Sequence, residues 1–188
     1  MKNLKSIALA LVVVLSTVAA TAQTVKINTA TSSINWLSKK VGGQHAGTVN
    51  LKDGALVFKG KKLVGGTFTT DMTSLTATDL TGEYLGKLNG HLKSEDFFST
   101  EKFPTSTLVF KKIGVKATNL YTVTADLTIK GITKPVTFDL AVNGKTATTK
   151  FNVDRTKYDI KYNSASIFSA IGDKAIEDNF ELTVVLKF

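Results

Sequence analysis

Apolar and polar side chains alternate with period two along most of this chain, and this restricts the fold more than any other feature. Val123, Ala125, Leu127 and Ile129 share one face of an extended run, with Thr122, Thr124, Asp126, Thr128 and Lys130 on the other. Val136, Phe138, Leu140 and Val142 repeat the pattern, as do Phe180, Leu182, Val184, Leu186 and Phe188. Successive side chains of a strand point to opposite faces, so these runs read as strands with one buried face. Asn143-Gly144 separates two runs, and Asp53-Gly54 separates a strand ending near Leu51 from one starting at Ala55. Both dipeptides tolerate positive φ and predict hairpins, which makes consecutive strands antiparallel.

The runs amount to eight or so strands, centred near Trp36, Val49, Val57, Phe68, Val109, Leu127, Phe138 and Phe151, with a long last one from Phe180 to Phe188. Such a sheet has two edges of unpaired backbone groups, and closing it into a barrel removes both. The expected fold is therefore all-β, an antiparallel eight-stranded barrel whose interior holds side chains or one small ligand. Two stretches break the alternation. Tyr84, Leu85, Leu88 and Leu92 recur at helical spacing and predict a short amphipathic helix within residues 83–98, although Asn89-Gly90 usually marks a turn. Ser164 to Asn179 mixes Ile167, Phe168, Ile171 and Ile176 with Gly172 and Asp173, and reads as a mobile loop with apolar teeth.

Met1 to Ala22 has the composition of a secretory signal: Lys2 and Lys5, an apolar run from Ile7 to Leu15, then Ala20-Thr21-Ala22 as a small-residue cleavage site. Removal of residues 1–22 leaves 23–188 as one domain with enough chain for a single core, exported to the periplasm or secreted. No cysteine is present, which excludes disulfides and a thiol-anchored lipid. The formal charge is +9, and two of the lysines behind it lie in the leader. The only arginine is Arg155 and the lysines are scattered, which argues against nucleic-acid binding, where arginine forks read bases and clustered cations hold phosphates. A lysine-coated exterior suits an anionic membrane surface or anionic lipid headgroups, or no specific partner at all.

Catalytic signatures are sparse. There is no nucleophile elbow, zinc-type histidine pair or phosphate-cradling glycine loop, and no cofactor motif. His91, Glu95 and Asp96 have the spacing of metal ligands on one helical face, with His45 as a distant third. The favoured reading of Ser94-Glu95-Asp96 is instead a helix N-terminus, where a hydroxyl caps free amides and carboxylates suit the dipole. His91 is then expected as a buried, hydrogen-bonded imidazole at the barrel mouth. Aromatic rings recur about once per strand, at Trp36, Phe58, Phe68, Phe110, Phe138, Phe151 and Phe180. They fill a solid core or line an apolar bore, and Gly43, Gly47, Gly66, Ala125 and Ala147 among them would leave space for the second.

The segment His91 to Phe110 holds four of the 11 Phe residues, and Phe103-Pro104 within it turns a corner, because the proline ring removes a donor and biases Phe103 towards an extended conformation. Together with Leu127-Thr-Ile-Lys-Gly-Ile-Thr-Lys-Pro-Val-Thr-Phe138, Trp36, His45 with Gly47, the strand from Gly66 to Met72 and the His91-Leu92 pair, it resembles the YceI-like family. That family comprises lipocalin-like periplasmic barrels that bind polyisoprenoid lipids, and the resemblance runs from about Ile34 to Phe188. Many members carry Arg-Asp just before His-Leu, whereas this chain has Leu88 and Asn89, so no arginine role transfers to position 88.

The resemblance implies a non-enzymatic carrier holding a polyisoprenoid, an isoprenoid quinone or isoprenoid pyrophosphate, for transport or storage. Candidate ligand-binding residues are Trp36, Phe58, Phe68, Leu85, His91, Phe98, Phe110, Leu127, Phe138, Phe151 and Phe168, with His45, Asn89 and Lys87 as further polar groups at the mouth. No cofactor or metal is implied, and the oligomeric state is open, a dimer included. The alternatives are a small enzyme using His91 with Asp96 or Glu95 on an amphipathic molecule, and a stress-related structural module with a solid core.

Overall fold

The computed structural model describes residues 21–168 and 172–188; the expected signal peptide falls, save its last two residues, outside the described residues. Among the described residues there are nine strands, β1 (Ala22–Lys26), β2 (Ser33–Lys40), β3 (Gly43–Lys59), β4 (Lys62–Ala77), β5 (Thr105–Ala117), β6 (Leu120–Ile129), β7 (Ile132–Asn143), β8 (Thr146–Asp154) and β9 (Ile176–Lys187), and one α-helix, α1 (Gly82–Lys93), between β4 and β5. The sheet order β3-β2-β9-β8-β7-β6-β5-β4 closes through β3 against β4, giving the expected eight-stranded antiparallel barrel. The ninth strand, β1, pairs with the far half of β3, from Ala55 to Lys59, while β2 takes the near half. One edge of β3 is thus covered by two strands in series.

Alternation translates directly into burial. In β6 every second residue from Tyr121 to Ile129 is buried and the residues between are half-exposed. Lys130 and Gly131, both at positive φ, turn β6 into β7. The turn after β7 closes one residue later than expected: Asn143 pairs with Thr146, so the loop is Gly144-Lys145, with Gly144 at φ +58°.

The Asp53-Gly54 hairpin does not exist. The strands expected around Val49 and Val57 are one 17-residue strand, β3, which passes straight through Asp53 and Gly54 with register shifts against β4 on either side of that region. Three contacts explain the difference. The Asp53 carboxylate pairs with Lys26 at 3.0 Å, the Gly54 carbonyl accepts from the Ile27 backbone N–H at 2.9 Å, and the bare Cα of Gly54 admits the Phe68 ring. The pair therefore serves a bulge that bends a long strand, as barrel strands require.

Helix α1 ends at Lys93, shorter than residues 83–98, and no residue of it is fully buried. Leu85, Leu88 and Leu92 face the barrel, whereas Tyr84 points to solvent. Ser94 is not an N-cap: it follows the last turn of α1, where its hydroxyl donates to the His91 carbonyl at 2.8 Å. Glu95 and Asp96 lie in the turn beyond. Asn89 stays helical because its side chain is used elsewhere, accepting from the Ala77 backbone N–H and donating to Thr76 Oγ1, both at 2.9 Å. Asn89→Ala should cost about 1–3 kcal/mol by stranding those partly buried groups. Urea unfolding measures the loss, and faster amide exchange in α1 than in the sheet would place it at the helix.

Candidate functional site

The barrel is packed at one end and hollow towards the other. Leu56, Leu63, Val123, Leu140 and Ala147 are essentially fully buried around the packed end, where Phe58 and Phe188 rest on each other at 5.9 Å. Along the axis from there lies a cavity of about 150 Å³ with an almost wholly apolar wall. Its lining runs from Leu186, Leu140 and Ile34 to Leu92, Phe97, Phe98, Phe180 and Arg155 at the α1 end. This is room for roughly five water molecules, yet an apolar wall gives water few partners and favours a hydrocarbon guest. Leu108, Phe110, Phe151, Phe180, Leu182 and Val184 line it while remaining only half-buried.

Of the candidate residues, Trp36, Phe68, Phe98, Phe110, Leu127, Phe138 and Phe151 line this cavity. Phe138 stacks on Phe151 at 4.6 Å and meets Phe110 edge-on at 6.1 Å, and Phe110 contacts Phe68 at 5.5 Å, so four strands contribute one aromatic band. The other four candidates lie elsewhere. Phe58 belongs to the packed end, and Leu85 packs under α1. Phe168 is 49 % exposed and borders a separate polar groove with Glu95, Asp96, Lys130, Asp159, Lys161, Tyr162 and Asn163.

His91 is neither buried nor in the bore. Its side chain is 35 % exposed, its Nε2 lies 3.5 Å from Asp96 Oδ2, and its ring meets Phe97 and Tyr162 edge-on. Glu95 is engaged with Lys102 instead, and His45 pairs with Asp79 at 2.8 Å. Among the described residues no three metal-ligating side chains come together. The His91–Asp96 pair lies at the surface, with side chains 35% and 63% exposed.

The small residues do not all leave space. A Cβ at Gly47 would fall 2.0 Å from the Thr76 carbonyl and 2.4 Å from the Trp36 ring, and one at Gly66 would fall 2.7 Å from Phe110. These glycines let large rings lie flat on the wall. Ala125 and Ala147 are fully covered and do not border the cavity.

Sequence reading passed over Arg155, although its standing as the chain's single arginine was a signal. It lies 3 % exposed at the α1 end, with Nε donating to the Glu177 carbonyl at 3.1 Å, Nη1 to Ile160 at 2.9 Å and Nη2 to Ile176 at 3.0 Å. Asp178 Oδ1 is 3.7 Å from Nη2. Burial lowers the guanidinium pKa, against the opposing pull of Asp178 and Asp154. Burial and the Asp154 charge push neighbouring Tyr158 up to about 12.

Asp79 and Asp178 both sit below the ordinary carboxylate value of 3.8. Burial works in the opposite direction, but hydrogen bonds from His45 and the Ala46 N–H outweigh it at Asp79, and those from Ser164 and Ser166 with the charge of Arg155 do so at Asp178. Carboxylates depressed in the folded state contribute stability above their unfolded value and lose it as pH falls through the folded one. Urea midpoints should therefore hold above about pH 4 and drop below it, and Asp79→Asn should flatten part of that drop.

Comparison with known proteins agrees with this geometry. A UPF0312 protein of Staphylococcus aureus (strain USA300) is 36% identical over 88 residues, 41% of this chain and 48% of that protein. One of Photorhabdus laumondii is 49% identical over 59 residues, 29% of this chain and 28% of that one. The aligned part thus spans about half the length of these curated relatives or less. The barrel superposes on BcnA of Burkholderia cenocepacia with a TM-score of 0.63 at 22% identity, covering 85% of this chain and 98% of that one. It also superposes on a polyisoprenoid binding domain from Saccharophagus degradans, with a TM-score of 0.57 at 13% identity over 86% and 95% of the two chains. The family model for the YceI-like domain matches residues 25–188, essentially the whole barrel, and the chain belongs to that family.

Proposed function

We propose that this protein is an exported, non-enzymatic lipid carrier that holds a polyisoprenoid chain in its bore for transport or storage. The observation that carries the reading is the apolar cavity of about 150 Å³ running inside the barrel, bordered by rings that remain only half-buried. Each methylene moved from water into such a lining contributes ~0.8 kcal/mol, so a short stretch of tail suffices for binding. The name of the Saccharophagus degradans domain supports the same ligand class. Lysines on the exterior suit loading from an anionic membrane surface, and the leader composition of residues 1–22 supports a periplasmic or secreted location.

Mass spectrometry of an organic extract from natively purified protein tests the ligand, with an isoprenoid lipid as the expected content. A parent protein that is empty after gentle purification and indifferent to added isoprenoids would overturn the reading. Protein recovered from the host's periplasm should begin at Gln23, which N-terminal sequencing checks.

A further inference from the structure

Among the described residues that border the apolar bore one is charged, Arg155. Arg155 offers five N–H groups, and three are taken by the carbonyls of Glu177, Ile160 and Ile176. Holding those carbonyls accounts for an anchor between the 3-10 turn Arg155–Tyr158 and the start of β9. It does not account for Arg155 also bordering the cavity. Asp178, the nearest carboxylate, stands 3.7 Å away, beyond hydrogen-bond distance, and its buried Oδ1 accepts from nothing among the described residues.

We infer that Arg155 is the headgroup site of the bore, and that it selects an isoprenoid lipid ending in an uncharged acceptor oxygen, a carbonyl, over one ending in a diphosphate. The inference rests on the carrier reading above and deepens it. A hydrocarbon end leaves the remaining donors of a buried cation unmet, whereas a carbonyl oxygen receives them. A diphosphate carries more than one negative charge, and Asp178 already balances the single positive one. Burying such an ion in an apolar wall without counter-charge costs more than one hydrogen bond returns. The lysines of the neighbouring groove do not supply the missing charge: Lys130 is turned to the carbonyls of Glu95 and Asp159, and Lys161 pairs with Asp159 at 2.7 Å. The tail then runs from Arg155 past Phe180 towards Leu186.

Three probes sharing a short isoprenoid tail test this on the full-length mature protein: ubiquinone with a geranyl tail, geranyl diphosphate, and the head-free hydrocarbon myrcene. Calorimetry gives the affinities, and the emission of Trp36, the only tryptophan and part of the cavity wall, reports entry into the bore. The quinone should bind at least about tenfold more tightly than either other probe. Arg155→Met should remove that advantage and leave myrcene unchanged. Because that variant also loses the three carbonyl contacts and can fail to fold, the ranking of probes on the parent protein stands as a test by itself. Equal affinity for quinone and myrcene would reduce Arg155 to an anchor, and preferred binding of the diphosphate would reverse the selectivity; either overturns this inference while the carrier reading survives. Failure of all three to enter the bore overturns both.

Discussion

Replacing Val184 by Trp should give a folded barrel that no longer carries lipid. Val184 sits mid-strand in β9, paired with Ile34 on one side and Thr149 on the other, and it lines the cavity while only half-buried. An indole placed there extends into open volume along the bore axis. In a filled interior the same change would force neighbours off their rotamers at a cost of ~1–3 kcal/mol; with a cavity to receive the ring, the loss should stay below about 1 kcal/mol. Lipid content by mass spectrometry and the urea midpoint decide the matter together. A folded variant that retains its lipid would show that the ligand lies elsewhere, and a strongly destabilised one would show that the interior is effectively solid. Ala125, which alternation alone points to as a place to plug the bore, is unsuitable. It is fully covered between Phe110 and Val136 of the adjacent strands, so a ring there would wedge the wall apart.

Gly47→Ala is expected to be among the most damaging single-methyl additions in the barrel. The new Cβ would lie 2.0 Å from a backbone carbonyl of β4 and 2.4 Å from the Trp36 ring. The carbonyl cannot retreat freely, because Thr76 belongs to β4 where it pairs with β3 to close the barrel. A loss of about 3 kcal/mol or more follows, at the upper end of overpacking costs. For a domain of this size that is roughly 6–12 °C in Tm. Gly43→Ala on the same strand is the control, because its new methyl meets nothing closer than the end of Lys40 at 3.9 Å. Thermal unfolding should leave Gly43→Ala near the parent, and equal melting of the two variants would show that the Gly47 contact carries no such penalty.

Alternation was enough to establish the sheet and its curvature into a barrel. The burial of β6 and β7 follows their patterns residue by residue, since side-chain direction in a strand depends only on parity. The aromatic band was partly legible, because Phe68, Phe110, Phe138 and Phe151 occupy inward positions of their strands.

What tertiary structure alone decided are the features that depend on partners distant in sequence. Asp53-Gly54 has hairpin composition, but Lys26, Ile27 and Phe68 draw it into a continuous bulged strand, and no local propensity encodes those three. Ser94 has the composition of a helix start and serves a helix end, because α1 had already been fixed by Leu85, Leu88 and Asn89 against β4 and the barrel. The space read at Gly47 and Gly66 is filled by rings from other strands, and His91 lies outside the bore because Phe97 and Tyr162 hold it at the rim. Arg155 looks like one more surface cation in the sequence. It is a buried wall residue only because its guanidinium finds three backbone carbonyls, two of them more than 20 residues away. Parity along a strand is a local property and can be read from sequence; the filling of a barrel's interior is set by side chains from every strand at once, and it exists only when the sheet has closed.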